Sequence, residues 1–338
     1  MMRLPKFRYY APTTVKEALR IKAGERDAST YVAGGTDLYP NMKRRQQTPA
    51  VVIGLSRIAA LRRLRAGGDG AQGTAIGACV PLSVIEHHRK IRRTYPGLAH
   101  AIAEISTPPL RNMGTLGGNL LLDTRCNYYD QNYEWRQAID FCMKKDGRIC
   151  WVAPASPRCL AVQSADSVPV LIALGATALL ASPEETREVP VEALYRNDGI
   201  DYLAKRPGEL LTEIRVPAPG GWEASYRKLR RRGAFDFPVL SVGAAVRREG
   251  DAVIEARIVL GAVSSAPVRA AEAERLLIGR VLDEDAIRAA AEAAAGPSRP
   301  MDNTDFSFLW RKDMTKKWVA AALRQLARTP AAGPPRAA

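Results

Sequence analysis

Four cysteines in one short segment are the side chains of this sequence best suited to bind a metal. Cys126, Cys142, Cys150 and Cys159 are separated by fifteen, seven and eight residues, in a stretch with little helical or strand periodicity. Four thiolates can complete the ligand set of zinc, a [2Fe–2S] cluster or a [4Fe–4S] cluster. The spacing matches neither a zinc ribbon nor the usual ferredoxin runs, so it leaves the metal open. The fifth cysteine, Cys79, is predicted to be a small core residue.

Two glycine-rich segments are candidates for binding phosphate. Such a turn after a strand can present successive backbone N–H groups to phosphate oxygens, and glycine allows close approach. Neither segment has the GxGxxG pattern, and each alone could be only a tight turn. Together they are predicted to form two sides of one phosphate-bearing ligand. The first glycine loop consists of Ala33, Gly34, Gly35, Thr36, Asp37 and Leu38, and the second, NMGTLGGN, covers residues 112–119.

The elements around these segments predict two domains. Strand and helix patterns alternate through the first hundred residues, which is typical of an α/β domain. The cysteine-rich segment, residues 124–162, interrupts that pattern. The sequence PAPGG resembles an interdomain linker, and the strands and helices after it predict an α+β domain. We therefore expect domains at residues 1–219 and 220–328, followed by a disordered tail at residues 329–338.

Composition excludes several classes of protein. The chain of 338 residues is 46% hydrophobic and 25% charged, as in ordinary globular proteins. It has no apolar run of about 18 residues and no apolar leader, so a cytoplasmic protein with no membrane interaction is expected. The net charge of +15 accompanies no nucleic-acid-binding motif, which argues against a nucleic-acid partner and suits an acidic redox partner. The usual hydrolase and kinase motifs are missing.

The sequence resembles the FAD-binding subunits of the xanthine dehydrogenase and carbon monoxide dehydrogenase flavoprotein family. The resemblance covers nearly the whole chain and is carried by PTTVKEAL, VAGGTDL, RNMGTLGGN, DSVPVLIALGA and YRKLRRRGAFDFPVL. It implies a two-lobed FAD-binding domain of the vanillyl-alcohol-oxidase (PCMH) type. A C-terminal α+β domain like that of the carbon monoxide dehydrogenase flavoprotein should follow.

The same resemblance implies which residues contact FAD. Residues 33–38 of the first glycine loop would hold the pyrophosphate from one side. Thr107 would contact the flavin, Asp166 would lie beside the flavin nucleotide, and Lys228 would lie near the FAD. The implied contacts in the second glycine loop are Gly114, Thr115, Gly117, Gly118 and Asn119.

The cysteine-rich segment resembles the one in β subunits of 4-hydroxybenzoyl-CoA reductases, on the sequence TRCNYYDQNYEWRQAIDFCMKKDGRICW. That resemblance implies a [4Fe–4S] cluster on the four cysteines and ferredoxin as electron donor. It also implies a molybdenum-cofactor subunit and a [2Fe–2S] subunit as partners, assembled as a dimer of heterotrimers. Two alternatives stay open: an oxidative hydroxylase of the same family, and a zinc-stabilised interaction subunit without flavin.

Overall fold

The computed structural model describes residues 3–67, 73–233 and 235–328, arranged around three β-sheets. The predicted disordered tail at residues 329–338 lies outside the described residues. The strands are β1 Arg8–Tyr10, β2 Ser29–Val32, β3 Val51–Gly54, β4 Leu64–Arg65, β5 Thr74–Gly77, β6 Thr177–Ala181, β7 Thr186–Pro190, β8 Leu210–Val216, β9 Trp222–Leu229, β10 Leu240–Glu249, β11 Ala252–Gly261 and β12 Val268–Arg269. The helices are α1 Val15–Glu25, α2 Leu38–Lys43, α3 Leu82–His87, α4 Arg89–Thr94, α5 Pro96–Ala103, α6 Pro108–Met113, α7 Leu116–Leu120, α8 Tyr133–Ala138, α9 Ser167–Ala173, α10 Ala271–Arg275, α11 Glu284–Ala294 and α12 Phe308–Ala327.

The N-terminal lobe is a small parallel sheet with β3 between β1 and β2. Helix α1 connects β1 to β2, and a capping box fixes its start. Thr14 Oγ1 accepts from the Glu17 amide at 3.1 Å, while the Glu17 carboxylate accepts from the Thr13 amide at 3.0 Å. Ala18 and Leu19 of α1 are buried in one core with residues of β3. This lobe places the first glycine loop directly after β2.

The second lobe is an antiparallel sheet of five strands in the order β4-β5-β8-β6-β7. Helices α3, α5, α7 and α9 bury their apolar side chains together with β5, β6 and β8 in the largest core of the described residues. The second glycine loop covers the end of α6, the turn after it and most of α7, and its Leu116 is buried in this core. Both glycine loops are therefore supported by buried strands and helices.

The C-terminal domain is a four-stranded antiparallel sheet, β12-β11-β10-β9, with helices on both faces. Side chains alternate between the faces of a strand. On β10, Val242, Ala244 and Val246 pack in one core with α11 and α12, whereas Ala245 belongs to the core of the second lobe. The C-terminal sheet is thus shared between the two domains.

The cysteine-rich segment contains one short helix, α8, and is otherwise irregular. Its two ends are joined because Arg125 and Val162 exchange backbone hydrogen bonds of 2.8 and 2.7 Å. Tyr129 is buried, but Tyr133 and Trp135 are 40% and 39% exposed. Among the described residues no helix is long and apolar enough to cross a bilayer.

Candidate functional site

The two glycine loops are in direct contact. Gly34 lies against the backbone of Met113 and Gly114, and a Cβ atom at Gly34 would overlap the Met113 carbonyl group. Gly35 adopts φ +74°, a conformation that favours glycine. The second loop is fixed to the body because the Leu82 amide donates to the Gly114 carbonyl at 2.9 Å. The structure therefore brings together the loops that the sequence predicted as two sides of one site.

The second glycine loop uses much of its hydrogen-bonding capacity within the fold. Thr115 caps α7, and its hydroxyl accepts from the Gly118 amide at 3.1 Å. The Gly117 amide donates to Ala78 O at 3.0 Å, and the Asn119 amide to Thr115 O at 2.9 Å. A phosphate at the second loop would have to share these amide donors with the acceptors that they already bind within the fold. The second loop is best described as a rigid platform against which the first loop is held.

The first glycine loop has more donors to offer. Within the described part of the chain, the amides of residues 34–37 donate to no backbone carbonyl. The loop also has hydroxyl and carboxylate side chains in Thr36 and Asp37. Asp37 is already engaged, because its carboxylate pairs with Arg125 and accepts from Asn41 Nδ2 at 3.1 Å. The open amides are what a pyrophosphate requires.

Asp166 and Lys228 form a buried ion pair with each other. Their side chains are nearly inaccessible, with Nζ and Oδ1 3.0 Å apart. Asp166 also accepts from the Tyr226 hydroxyl at 2.6 Å, and Lys228 Nζ donates to Glu104 O at 2.8 Å. Burial raises the pKa of Asp166, and the neighbouring Lys228 ammonium acts in the opposite direction. The two residues that were predicted to contact FAD thus stabilise each other as an ion pair.

The ion pair adjoins the end of the second glycine loop. Asn119 Oδ1 accepts from the amide and the hydroxyl of Ser167 at 3.2 and 2.6 Å, and Ser167 follows Asp166. Thr107 follows Glu104 by three residues and is the N-cap of α6, but its side chain makes no capping bond. The Thr107 hydroxyl does not serve the N-cap role that threonine often has at this position.

Gln163 and Ser164 are candidate site residues that the sequence did not reveal. Both side chains are buried, and Gln163 Nε2 and Oε1 and Ser164 Oγ have no hydrogen-bond partner among the described residues. An unsatisfied buried polar atom costs about 1–3 kcal/mol, so a bound polar group would stabilise this position. Both residues lie just before Asp166. The only signal in the sequence was that this polar pair lies between two apolar residues, Val162 and Ala165.

The four predicted metal ligands line one cavity, here called the thiol cavity. All four cysteines are at least 93% buried, and the cavity between the lining side chains has a volume of about 10 Å³. Burial raises the pKa of Cys126 to about 12 and of Cys159 to about 11. Metal binding would therefore have to displace protons from thiols, because the thiolate is the ligand. Tyr129 and Lys144 also line the cavity.

The thiol cavity differs from a single-ion site. Tetrahedral zinc at about 2.3 Å from each sulfur would bring the sulfurs within about 3.8 Å of each other. In the described ranges no three or more His, Cys, Asp or Glu side chains come close enough to hold one metal ion.

Cys79, the fifth cysteine, lies in the core of the N-terminal lobe, and burial raises the pKa of its thiol to about 12. The prediction that Cys79 is a core residue is confirmed.

Comparison with known proteins assigns the fold to a family. Residues 5–219 match the FAD binding domain in molybdopterin dehydrogenase, and residues 224–326 match the CO dehydrogenase flavoprotein C-terminal domain. The chain belongs to the FAD-binding subunits of molybdopterin-dependent dehydrogenases. The contact between the two glycine loops fits the FAD that this family binds, and so do the buried polar atoms of Gln163 and Ser164 that lack a hydrogen-bond partner among the described residues.

Individual relatives cover nearly the whole chain. The glyceraldehyde dehydrogenase medium chain of Sulfolobus acidocaldarius is 27% identical over 96% of this chain and 99% of its own length. The aldehyde oxidoreductase FAD-binding subunit of Escherichia coli is 31% identical over 79% of this chain and 85% of its own length. The structure of carbon monoxide dehydrogenase from Hydrogenophaga pseudoflava matches with a TM-score of 0.78 and 26% identity, covering 96% of this chain and 98% of that one.

In this FAD-binding subunit the first glycine loop contacts the beginning of the cysteine-rich segment. Asp37 pairs with Arg125, which immediately precedes Cys126 in the sequence. The Arg125 guanidinium also lies 4.7 Å from the centre of the Phe237 ring, and Nη1 is 3.4 Å from Asn41 Oδ1. Arg125 is thus a physical link between the first glycine loop and the beginning of the cysteine-rich segment.

Proposed function

We propose that this chain is the FAD and [4Fe–4S] electron-transfer subunit of an enzyme of the 4-hydroxybenzoyl-CoA reductase type. The observation that carries the proposal is the convergence of four buried thiols on one cavity in an FAD-binding subunit. Four thiolates are the ligand set of a [4Fe–4S] cluster. The sequence of the cysteine-rich segment, with its resemblance to the reductase β subunits, supports this choice of cluster.

Each group of residues would have its own role in this function. Cys126, Cys142, Cys150 and Cys159 would hold the cluster, which supplies one-electron transfer. The first glycine loop would bind the FAD pyrophosphate through its open amides, with the second loop behind it. Gln163 and Ser164 would satisfy their buried polar atoms on the flavin nucleotide, beside the Asp166–Lys228 pair. Thr107 would contribute its hydroxyl to the flavin.

The subunit would pass electrons from a low-potential donor, ferredoxin, towards [2Fe–2S] and molybdenum centres on partner subunits. The overall reaction would be reductive removal of the ring hydroxyl of 4-hydroxybenzoyl-CoA, giving benzoyl-CoA in anaerobic aromatic breakdown. The substrate would not touch this chain. We place the complex, a dimer of heterotrimers, in the cytoplasm, where reducing conditions keep cysteines available as metal ligands.

A second candidate is a flavoprotein subunit of an oxidative molybdenum hydroxylase. It is favoured by the relatives, whose names include glyceraldehyde dehydrogenase, carbon monoxide dehydrogenase and nicotine 6-hydroxylase. Electrons would then leave the complex through this chain.

Assays of the purified complex distinguish the two candidates. Reduced ferredoxin with 4-hydroxybenzoyl-CoA should yield benzoyl-CoA if the first candidate is right, and no thioester product if the second is right.

The metal assignment is tested by changing one thiol. Cys142→Ser should lose most of the iron and sulfide of the anaerobically purified chain while it keeps its FAD, because no residue of either glycine loop is among the described residues that line the thiol cavity. Cys79→Ser is the matched control, since this buried cysteine lies outside the thiol cavity, and it should keep both. Iron that is unchanged in Cys142→Ser, or one zinc in place of iron, would contradict the proposal.

A further inference from the structure

Lys144 is a buried lysine on the wall of the thiol cavity, between Cys142 and Cys150 in the sequence. Its side chain is only 6% exposed. Nζ lies 2.8 Å from Asp123 Oδ1, 2.8 Å from Thr124 Oγ1 and 2.6 Å from Gly199 O. An ammonium has three N–H donors, and each has an acceptor here. The positive charge is therefore held at a fixed position.

The partner carboxylate is held by further hydrogen bonds. Asp123 is also buried, and it accepts from the Thr124 amide at 2.9 Å and the Tyr129 hydroxyl at 3.2 Å. Lys144 lines the thiol cavity, whereas Asp123 is not among the residues that line it within the described chain. The ammonium end of the ion pair thus belongs to a residue of the cavity wall, and the carboxylate end does not.

Structural attachment of the cysteine-rich segment accounts for part of this arrangement. Lys144 bonds Gly199 of the body, and its ammonium lies 4.9 and 5.5 Å from the ring centres of Tyr129 and Tyr202. A neutral side chain that donates hydrogen bonds could make the same attachment without burying a charge. Burying an ion pair carries a desolvation cost, so a charge on the wall of the thiol cavity suits an electrostatic role.

We infer that the Lys144–Asp123 pair sets the reduction potential of the centre held in the thiol cavity. This inference rests on the proposed function. Reduction adds one electron and breaks no bond, so the negative charge in the cavity grows by one. The fixed ammonium of a wall residue stabilises that added charge, and the carboxylate outside the wall opposes it, because charges interact strongly in a medium of low dielectric constant. Lys144 therefore favours the reduced state.

The test compares two substitutions that change the charge in opposite directions. The full chain with FAD is purified anaerobically and titrated with dithionite in the presence of redox mediators, while electron paramagnetic resonance follows the reduced cluster. Lys144→Met should lower the midpoint potential and Asp123→Asn should raise it. We expect at least a tenfold change in the reduction equilibrium for each, which is about 59 mV for one electron.

Two further variants separate charge from structure. Lys144→Arg keeps the charge and should retain most of the original potential. Lys205→Met is the matched control, because Lys205 is another partly buried lysine whose Nζ bonds a backbone carbonyl, Glu209 O at 2.9 Å, away from the thiols. It should leave the potential unchanged.

The outcomes distinguish this inference from the proposed function. An unaltered chain without an iron–sulfur signal would overturn the proposed function itself. An intact signal whose potential is unchanged in Lys144→Met and Asp123→Asn, or moves the same way in both, would overturn only the role of Lys144. If Lys144→Met fails to assemble its cluster, Asp123→Asn alone decides, and a potential that does not rise would overturn the inference.

Discussion

At the scale of single residues, the site depends on contacts that tolerate no extra atom. Gly34 packs against the Met113 carbonyl, which closes one glycine loop onto the other. Behind them, Asp166 and Lys228 neutralise each other in a buried position. Both arrangements depend on the identity of a single residue, and both shape the candidate cofactor site.

Gly34→Ala should separate the two glycine loops, because the new Cβ would overlap backbone that cannot move aside cheaply. The purified variant is expected to lose most of its FAD, measured by flavin absorbance per chain. Gly24→Ala is the control: Gly24 lies in α1, a Cβ there would meet no atom within 4 Å, and alanine favours helix. Full flavin content in Gly34→Ala would show that the loops do not hold FAD together.

Lys228→Met should destabilise the protein by about 3–5 kcal/mol, because it leaves the Asp166 carboxylate buried without its partner. Urea unfolding of the flavin-free chain measures the change. The double variant Lys228→Met with Asp166→Asn should recover part of the loss. Arg288→Met, at a mostly exposed ion pair with Asp285, should change stability little. Equal effects of the Arg288 and Lys228 variants would contradict the buried-pair account.

Among individual residues, the sequence predicted those whose type is rare or whose backbone role is special. The cysteines and loop glycines belong to this group. The sequence did not predict Gln163, Ser164 and Lys144. Glutamine, serine and lysine are usually exposed, and the neighbouring residues do not predict that these three side chains are buried. Their importance follows from what packs around them, and that depends on distant parts of the chain.

At the scale of elements, Arg125 couples the first glycine loop to the cysteine-rich segment. Its side chain is largely buried and meets Asp37 and Asn41 on one side and Phe237 on another. Movement of either segment would therefore disturb the other. Arg125 contributes this coupling without being a candidate ligand of either cofactor.

Arg125→Met should loosen both segments, because the Asp37 carboxylate loses its ion pair. Hydrogen–deuterium exchange is expected to rise together in residues 33–44 and 124–130, with a small rise elsewhere. Arg65→Met serves as control, since Arg65 pairs with Glu213 at the sheet edge, and it should leave both segments unchanged. A rise confined to one of the two segments would contradict the coupling.

Local elements were predicted well and long-range pairing was not. The strand Arg8–Tyr10 and the helix Val15–Glu25 belong to the alternating strand and helix patterns that were predicted for the first hundred residues. The five-stranded sheet was not predicted, because β8 pairs with β5 across more than a hundred residues. No periodicity within either strand encodes that partner. The domain boundary near residue 219 and the roles of the site residues stay predictions.

At the scale of the whole molecule, a family FAD-binding fold carries a cavity of four thiols. The C-terminal sheet shares cores with both domains. Because Arg125 joins the first glycine loop to the cysteine-rich segment, the two candidate cofactor sites are also in contact. In the proposed division of labour, this chain transfers electrons and its partners perform the substrate chemistry.

The isolated chain should therefore bind FAD and iron but show no dehydroxylation of 4-hydroxybenzoyl-CoA, even with reduced ferredoxin. Thioester products are measured by chromatography, with the complete complex as positive control. Benzoyl-CoA formed by the lone chain would refute the division of labour.

The most direct test of the central claim is the cofactor content of the anaerobically purified chain. Iron, acid-labile sulfide and flavin are counted per polypeptide, and electron paramagnetic resonance is recorded after reduction. We expect about four iron, about four sulfide and about one FAD, with the signal of a reduced [4Fe–4S] cluster. A flavin-containing protein without iron, or a colourless protein with one zinc, would contradict the claim.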